Sequence, residues 1–489
     1  MNFNNPEETD LHLIHTYNRK IVLESGNGMY VTDINGKKYL DMGAGIAVNG
    51  LGYGNKAFVK AVSRQLKKLV HISNLYYTPE LIRASYLLAN ASGMSKVFFT
   101  NSGTESIEGA LKLARKYKYE QNLNSKGEII AFNSSFHGRS MGALSVTGTE
   151  HYRTPFEPLI PGVKFAEYNN LDSVKALITP DTCAVIMESL QGEGGIHPAS
   201  LEFMQGIRKL CDENDIVMIL DEIQCGMGRT GKMFCYQNYG IEPDVITIAK
   251  ALGGGVPVGA FAAKQKFADA MIPGDHGTTF GGNPLAMAAV CAVFDIFEDE
   301  KIVEGVAKKA PYLQKILNKL KKNHPSIVDV RGMGFMMGLE FDSSVKVGDV
   351  VDMSSDAGLL VIAAANNTLR IVPPLIAGRR DISRMYKILD HVIGALENNE
   401  TEVAALDYDA LPDPEIDQAA EAAIDSADSQ MQAIDSADPQ MQSAADSADA
   451  AVVSKADSAG AAVVSAADSA DAGTDPSAGS GQTQTPADR

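Results

Sequence analysis

The chain has 489 residues, of which 45% are hydrophobic, and a formal net charge of −18; this length is enough for a large buried core and two domains plus appendages. The charge is uneven: residues 401–489 hold eighteen acids and two bases, so −16 resides there and the first 400 residues are close to neutral at −2. A near-neutral body argues against a nucleic-acid or anionic-membrane surface.

Five cysteines (Cys183, Cys211, Cys225, Cys235, Cys291) are odd in number and lack zinc-ligand or CxxC spacing, as expected of reduced thiols in a cytosolic protein. The N-terminus has no basic stretch followed by an apolar run, so no secretory signal is read there. The longest apolar stretch, around Leu285–Phe294, is shorter than the roughly 20 residues needed to span a bilayer. The expectation is a soluble, cytoplasmic protein.

In chain order, Met29–Leu40 predicts a hairpin turning at Asn35-Gly36. From about Val97 to Ala263, the short runs VFFT, EIIAF, AVIME, VMIL, VITIA and VGAFAA alternate with helical patterns. That rhythm predicts an α/β domain with a mostly parallel central sheet, whose strands are apolar because both faces are covered. A long helical stretch after Leu285 leads to a glycine-rich strand pair, VRGMGFMMGLEF. The predicted division is residues 1–65 as one part of a smaller α/β domain, 66–300 as the large domain, and 301–398 as the other part of the small one. From 399 to 489 the texture becomes Ala, Asp and Ser: AIDSADSQMQ at 423–432 is repeated as AIDSADPQMQ at 433–442. Such a segment buries too little apolar area to offset its chain entropy, so a disordered acidic tail is expected.

Two apolar runs end in charge: VMIL in Asp221 and VITIA in Lys250. A lone lysine there reads as a solvated strand end. Paired with an acid and followed by the glycine run ALGGG, it matches what pyridoxal phosphate requires: an amine for the aldehyde and an acid that keeps the pyridine nitrogen protonated. Gln224 stands where it could reach the cofactor's phenolic oxygen. Ser102 and Glu105 are spaced as a capping box, leaving the N–H groups of Gly103 and Thr104 for a phosphate. Phe136, followed by His137 and Gly138, can stack on the ring. Gly226–Gly231 matches the dinucleotide pattern GxGxxG but lacks the helix that pattern needs immediately after it, so nicotinamide-cofactor binding is not expected.

At this point the chain resembles the class III (subgroup II) aminotransferases, pyridoxal-phosphate enzymes of fold type I, over roughly Leu11–Leu396. The resemblance rests on NSGTESIEGALKLAR, FHGRSMGALS, ESLQGEGG, LDEIQCGMGRTG, AKALGGGVPVGA, HGTTFGGNPLA and LRIVPPL, in that order. It implies Lys250 as the catalytic, cofactor-bearing lysine and Asp221 as the ring-nitrogen partner. Ser102, Gly103, Thr104, Phe136, His137 and Gln224 would hold the cofactor, and Thr279 would reach the phosphate from a neighbouring subunit of a homodimer. Arg370 and Arg139 would take the two carboxylates of glutamate or 2-oxoglutarate. Glu193 would pair with Arg370 when an ω-amino substrate is bound, and Glu188 would lie close behind. Ser189 departs from the proline usual there.

Within the family, AGIAVNGLGYG and HISNLYYTPE are most similar to enzymes acting on N-acetylornithine in arginine biosynthesis. Gly45 stands where ornithine-specific members carry a tyrosine, leaving room for an acylamino group, and Tyr30 would contact the substrate. Succinyldiaminopimelate, ornithine and 4-aminobutyrate remain open as donors. An aminomutase is disfavoured by the arginine pair, and a non-catalytic role by the Lys250–Asp221–Gln224 set.

Overall fold

The computed structural model describes residues 12–403; from residue 404 on, the Ala/Asp/Ser-rich stretch expected to be disordered lies outside the described residues. Near the N-terminus, β1 (Leu23–Asn27), β2 (Tyr30–Asp33) and β3 (Lys38–Asp41) form an antiparallel meander. The expected hairpin is β2–β3, and Asp33 closes its turn by accepting the N–H groups of Asn35 and Lys37. Two helices follow, α1 (Lys56–Leu66) and α2 (Pro79–Ser92), capped by Asn55 and Thr78.

The large sheet contains β4 (Lys96–Thr100), β5 (Glu128–Phe132), β6 (Val163–Ala166), β7 (Thr182–Glu188), β8 (Val217–Asp221), β9 (Val245–Ile248) and β10 (Gly259–Ala263), in the order β4-β10-β9-β8-β7-β5-β6. All six runs singled out in the sequence are strands, and VKFA adds a seventh. Neighbours from β6 to β9 pair in parallel; β10 is antiparallel to both β9 and β4. Every residue of β7 and β8 is buried, which explains their unbroken apolar text. Helix α3 (Gly103–Gln121) packs one face on this sheet: Ile107, Leu111 and Ala114 join Ile129, Ile186, Ile219 and Phe261 in one core. Each such aliphatic side chain contributes about 1.5–3 kcal/mol by leaving water.

Helix α4 (Pro284–Asp299), buried against α1 and α2, is followed by α5 (Ile302–Asn323). The glycine-rich pair is a hairpin, β11 (Ile327–Met333) and β12 (Met336–Phe341). It is followed by β13 (Leu359–Leu360), β14 (Ile362–Ala364), β15 (Thr368–Ile371) and the last helix, α6 (Arg379–Glu397). Strand β13 pairs in parallel with β3, so residues from both ends of the described chain share one sheet. No described helix is long and apolar enough to cross a membrane.

Candidate active site

The C-terminal ends of the parallel strands open into a cavity of about 480 Å³, the usual place for a ligand in an open α/β sheet. Glu188 closes β7 and Asp221 closes β8, and the two are register partners. Beyond β9 the chain does not reach Lys250 as a strand. The strand ends at Ile248, and Lys250 opens a one-turn 3-10 helix with φ of +49°. A left-handed non-glycine residue costs about 1–2 kcal/mol. Here it departs from strand alternation, and Lys250 lines the cavity. Loss of water around the amine, then the Arg370 guanidinium, push it down to about 8, against the opposing pull of Glu193, Asp221 and Glu188.

Asp221 is 4% exposed. Its Oδ2 lies 2.7 Å from His137 Nδ1, and its Oδ1 accepts the Ile223 N–H at 3.0 Å and the Thr247 hydroxyl at 3.3 Å. A carboxylate accepts only, so the imidazole proton sits on Nδ1. His137, expected as a cofactor contact, is thus the residue that orients Asp221. Its Nε2 is buried and has no hydrogen-bond partner among the described residues. Beside them Glu188 accepts the N–H groups of Phe136 (3.2 Å) and Gly192 (3.0 Å). Burial pushes its carboxyl up to about 7, with His137 opposing and Asp221 adding to the rise.

At the other end of the cavity lies the start of α3. Ser102 Oγ accepts the Glu105 N–H at 3.3 Å, whereas the Glu105 carboxylate accepts the N–H of Asn101, not of Ser102. The expected capping box therefore closes one residue early. Thr104 Oγ1 accepts the Ser140 N–H at 3.2 Å and lies 2.7 Å from Ser140 Oγ. Gly138, at φ +139°, passes so close that a Cβ would stand 2.4 Å from Thr104 Oγ1. The Thr104 and Ser140 hydroxyls are engaged with each other, whereas Ser102 Oγ only accepts, so its O–H and the backbone amides of this helix start are left to meet an anion.

The substrate side is assembled from three segments. Arg370, 2% exposed on β15, forms an ion pair with Glu193 through two guanidinium nitrogens and donates to Gln224 Oε1 at 2.9 Å. Burial alone would raise the Glu193 carboxyl, but the Arg370 guanidinium holds it below its ordinary value. Arg139 is exposed at the rim, with its guanidinium carbon 3.9 Å from the Tyr152 ring centroid and 5.2 Å from that of Phe136.

Of the expected residues, Arg370, Glu193, Tyr30 and Thr279 do not line this cavity; Arg370 and Glu193 adjoin it through Gln224. Alternation along β2 buries Val31 and Asp33 and leaves Tyr30 with Thr32 on the other face. There Tyr30 lines a separate cavity of its own chain with Lys38 and Arg384. Thr279 is exposed and does not line the cavity of its own chain. Its neighbour Thr278 accepts a hydrogen bond from the Asn101 side chain at 2.8 Å.

The residues present suit pyridoxal phosphate. The cavity has a lysine with a lowered pKa, an oriented buried carboxylate, amides at a helix start, an aromatic wall at Phe136, and a backbone approach at Gly138 that a Cβ would block. The family description aminotransferase class-III matches residues 14–393. The chain belongs to the class-III aminotransferases. It is 44% identical to an acetylornithine aminotransferase of Caldanaerobacter subterraneus subsp. tengcongensis over 386 residues, 79% of this chain and 98% of that one. It is 43% identical to a probable mitochondrial acetylornithine aminotransferase of Dictyostelium discoideum, over 79% of this chain and 87% of that one. Among solved structures, the N-acetylornithine aminotransferase of Stenotrophomonas maltophilia aligns with a TM-score of 0.70 at 33% identity, covering 79% of this chain and 99% of that chain. The ornithine aminotransferase of Toxoplasma gondii aligns with a TM-score of 0.77 at 28% identity, covering 81% and 95%.

For this class-III member, sequence reasoning left Arg229 without a role. The GMGRTG segment is a run of turns leading to a short 3-10 helix, Cys235–Tyr239. Buried Arg229 donates to the carbonyls of Phe335 (3.3 Å) and Pro373, and burial pushes its guanidinium down to about 9. It thereby ties this loop to the segment that follows Arg370. Glu222 was also passed over. It is a buried acid that accepts the N–H groups of Cys235 and Tyr236 and the Ser189 hydroxyl.

Proposed function

We propose that this class-III aminotransferase moves the terminal amino group of N-acetyl-L-ornithine to 2-oxoglutarate, giving N-acetyl-L-glutamate 5-semialdehyde and L-glutamate, a step of arginine biosynthesis. The observation that carries the reading is the Arg370–Glu193 pair beside Lys250, together with a 44% identical acetylornithine aminotransferase spanning nearly its whole length.

Pyridoxal phosphate, when bound, supplies an aldehyde for amino groups and a ring that withdraws electrons from the carbon next to the nitrogen. Lys250 would hold that aldehyde, and the amides at Gly103 and Thr104 would hold the phosphate. Asp221, fixed by His137, would keep the ring nitrogen protonated, and Gln224 would meet the phenolic oxygen. Freed by the incoming substrate, the Lys250 amine moves the proton from the substrate's amino-bearing carbon. Its lowered pKa leaves a large neutral fraction near pH 8, as a general base needs.

Arg370 and Glu193 let one pocket serve both half-reactions. With N-acetylornithine bound, no carboxylate reaches Arg370 and Glu193 neutralises it. With 2-oxoglutarate, Glu193 yields the guanidinium fork to the α-carboxylate while Arg139 takes the other. Gly45 lies in a left-handed turn at Ala44–Ala47, just before Val48 of the cavity wall; with no side chain there, room remains for the acetyl group.

A homodimer completes the site in this reading. Thr279 would contribute to the partner's phosphate end, and exposed Leu75, Tyr76, Tyr77 and Phe280 would be covered by the second subunit. Five unpaired cysteines support a reducing, cytoplasmic location.

The test is glutamate formation from 2-oxoglutarate with N-acetylornithine, succinyldiaminopimelate, ornithine and 4-aminobutyrate compared by kcat/KM. N-acetylornithine is expected to lead; a clear lead for another donor would overturn the assignment.

A further inference from the structure

Behind the wall that carries Gln224, three side chains converge that the transamination does not use. Glu222, Cys225 and Cys235 are all buried, and their carboxylate oxygen and two sulfurs lie within 4.8 Å of one another. Glu222 and Cys225 sit on one turn immediately after β8, and Cys235 opens the 3-10 helix ten residues on. Gly226 lets the turn close this tightly: a Cβ there would stand 2.5 Å from the Glu222 carbonyl and 3.1 Å from its carboxylate.

We propose that Glu222, Cys225 and Cys235 form a binding site for a thiophilic divalent cation of the zinc or cadmium class. Two thiolates and a carboxylate are a soft-to-borderline donor set that selects such ions over magnesium or calcium. With metal–sulfur bonds near ~2.3 Å and metal–oxygen bonds near ~2.1 Å, tetrahedral ligand atoms stand roughly 3.5–3.8 Å apart. The donor atoms, all within 4.8 Å of one another, need to close by at most about 1 Å to reach that spacing. Binding releases the two thiol protons, and any proton on Glu222, to solvent as two metal–sulfur bonds and one metal–oxygen bond form. The dication with two thiolates and one carboxylate then carries a single negative charge, which the N–H and hydroxyl groups donated to Glu222 offset in part.

The surroundings are those of a ligand set held in place. Glu222 is oriented by the Cys235 N–H (2.6 Å), the Tyr236 N–H (3.1 Å) and the Ser189 hydroxyl (3.0 Å). Cys225 Sγ lies 3.5 Å from the Asp221 carbonyl. Cys225 also lines the active-site cavity, so an ion has a path in from solvent. Ser189, at the position where the family usually has proline, supplies one of the three contacts that aim the carboxylate.

The experiment is a cadmium titration of the reduced holoenzyme by equilibrium dialysis, with near-ultraviolet difference absorption reporting cadmium–thiolate bonds. One ion per chain with a thiolate band is expected, lost in C225S and in C235A, weakened about tenfold or more in E222Q, and kept in C183S. C235A, which does not line the cavity, decides the matter if C225S does not fold. Wild-type protein that binds no stoichiometric ion, binds one without a thiolate band, or keeps that band in C235A would overturn the site.

Discussion

Two buried acids and one arginine set the measurable behaviour of single residues. Burial raises Glu188 and Glu222 to about 7 from an ordinary 4.5, so the fold favours their protonated forms. Their contribution to stability is fully present below pH 4.5 and is lost as pH rises through about 7. Replacing Glu222 with Gln is expected to flatten the stability profile across that window by about 3 kcal/mol, read from denaturation midpoints at a series of pH values. At Arg370 the fork geometry is what matters. The substitution R370K keeps the charge but loses paired donation, which predicts a cost of about 1.5–3 kcal/mol, roughly a 10–100-fold rise in KM for 2-oxoglutarate. Steady-state kinetics with the amino donor saturating checks this; an unchanged KM would remove Arg370 from substrate binding. Asp221 and Lys250 were legible as residues because each interrupts an apolar strand text with charge. The bond from His137 to Asp221 was not, because it joins positions 84 apart and leaves no local pattern. The same is true of Arg229, whose partners are carbonyls of Phe335 and Pro373.

Among the elements, the loop after β5 is tightly fitted to the start of α3. Gly138 combines φ +139° with the 2.4 Å approach to Thr104 Oγ1, so alanine there meets both strain and a clash. G138A is expected to lose more than about 1 kcal/mol of stability and to bind pyridoxal phosphate more weakly, measured by thermal melts with and without cofactor. Equal melts would mean the loop has slack that its geometry does not show. The sheet was readable from sequence because burial on both faces writes strands as continuous apolar runs. Strand β6, VKFA, was missed: it is only four residues long, and three of its four residues are only half-buried. The place of Tyr30 was not legible for a related reason. Alternation in β2 separates Tyr30 from Val31, but it does not say which face of the strand meets which cavity.

For the whole molecule, the matched relatives mark what the reaction needs. The Caldanaerobacter enzyme is covered over 98% of its length by 79% of this chain, and the family match ends at residue 393. A chain ending at residue 403 is therefore expected to keep full turnover despite losing the acidic repeats; a large fall in kcat would assign them a part in the reaction. The pairing that joins the two ends of the described chain was not legible in detail. The parallel pairing of Leu359–Leu360 with Leu40 and Asp41 joins segments more than three hundred positions apart, and such pairing is set by tertiary packing, not by either segment's own text.

The central claim is that Lys250 and its surroundings accept an amino group from N-acetylornithine. The most direct measurement is the visible absorption of the purified, cofactor-loaded enzyme before and after N-acetylornithine is added without an oxo acid, with K250A alongside. The account predicts a band for lysine-bound cofactor that N-acetylornithine removes and 2-oxoglutarate restores, and no such band in K250A. A band that persists in K250A, or one that N-acetylornithine leaves untouched while another donor removes it, would contradict the account.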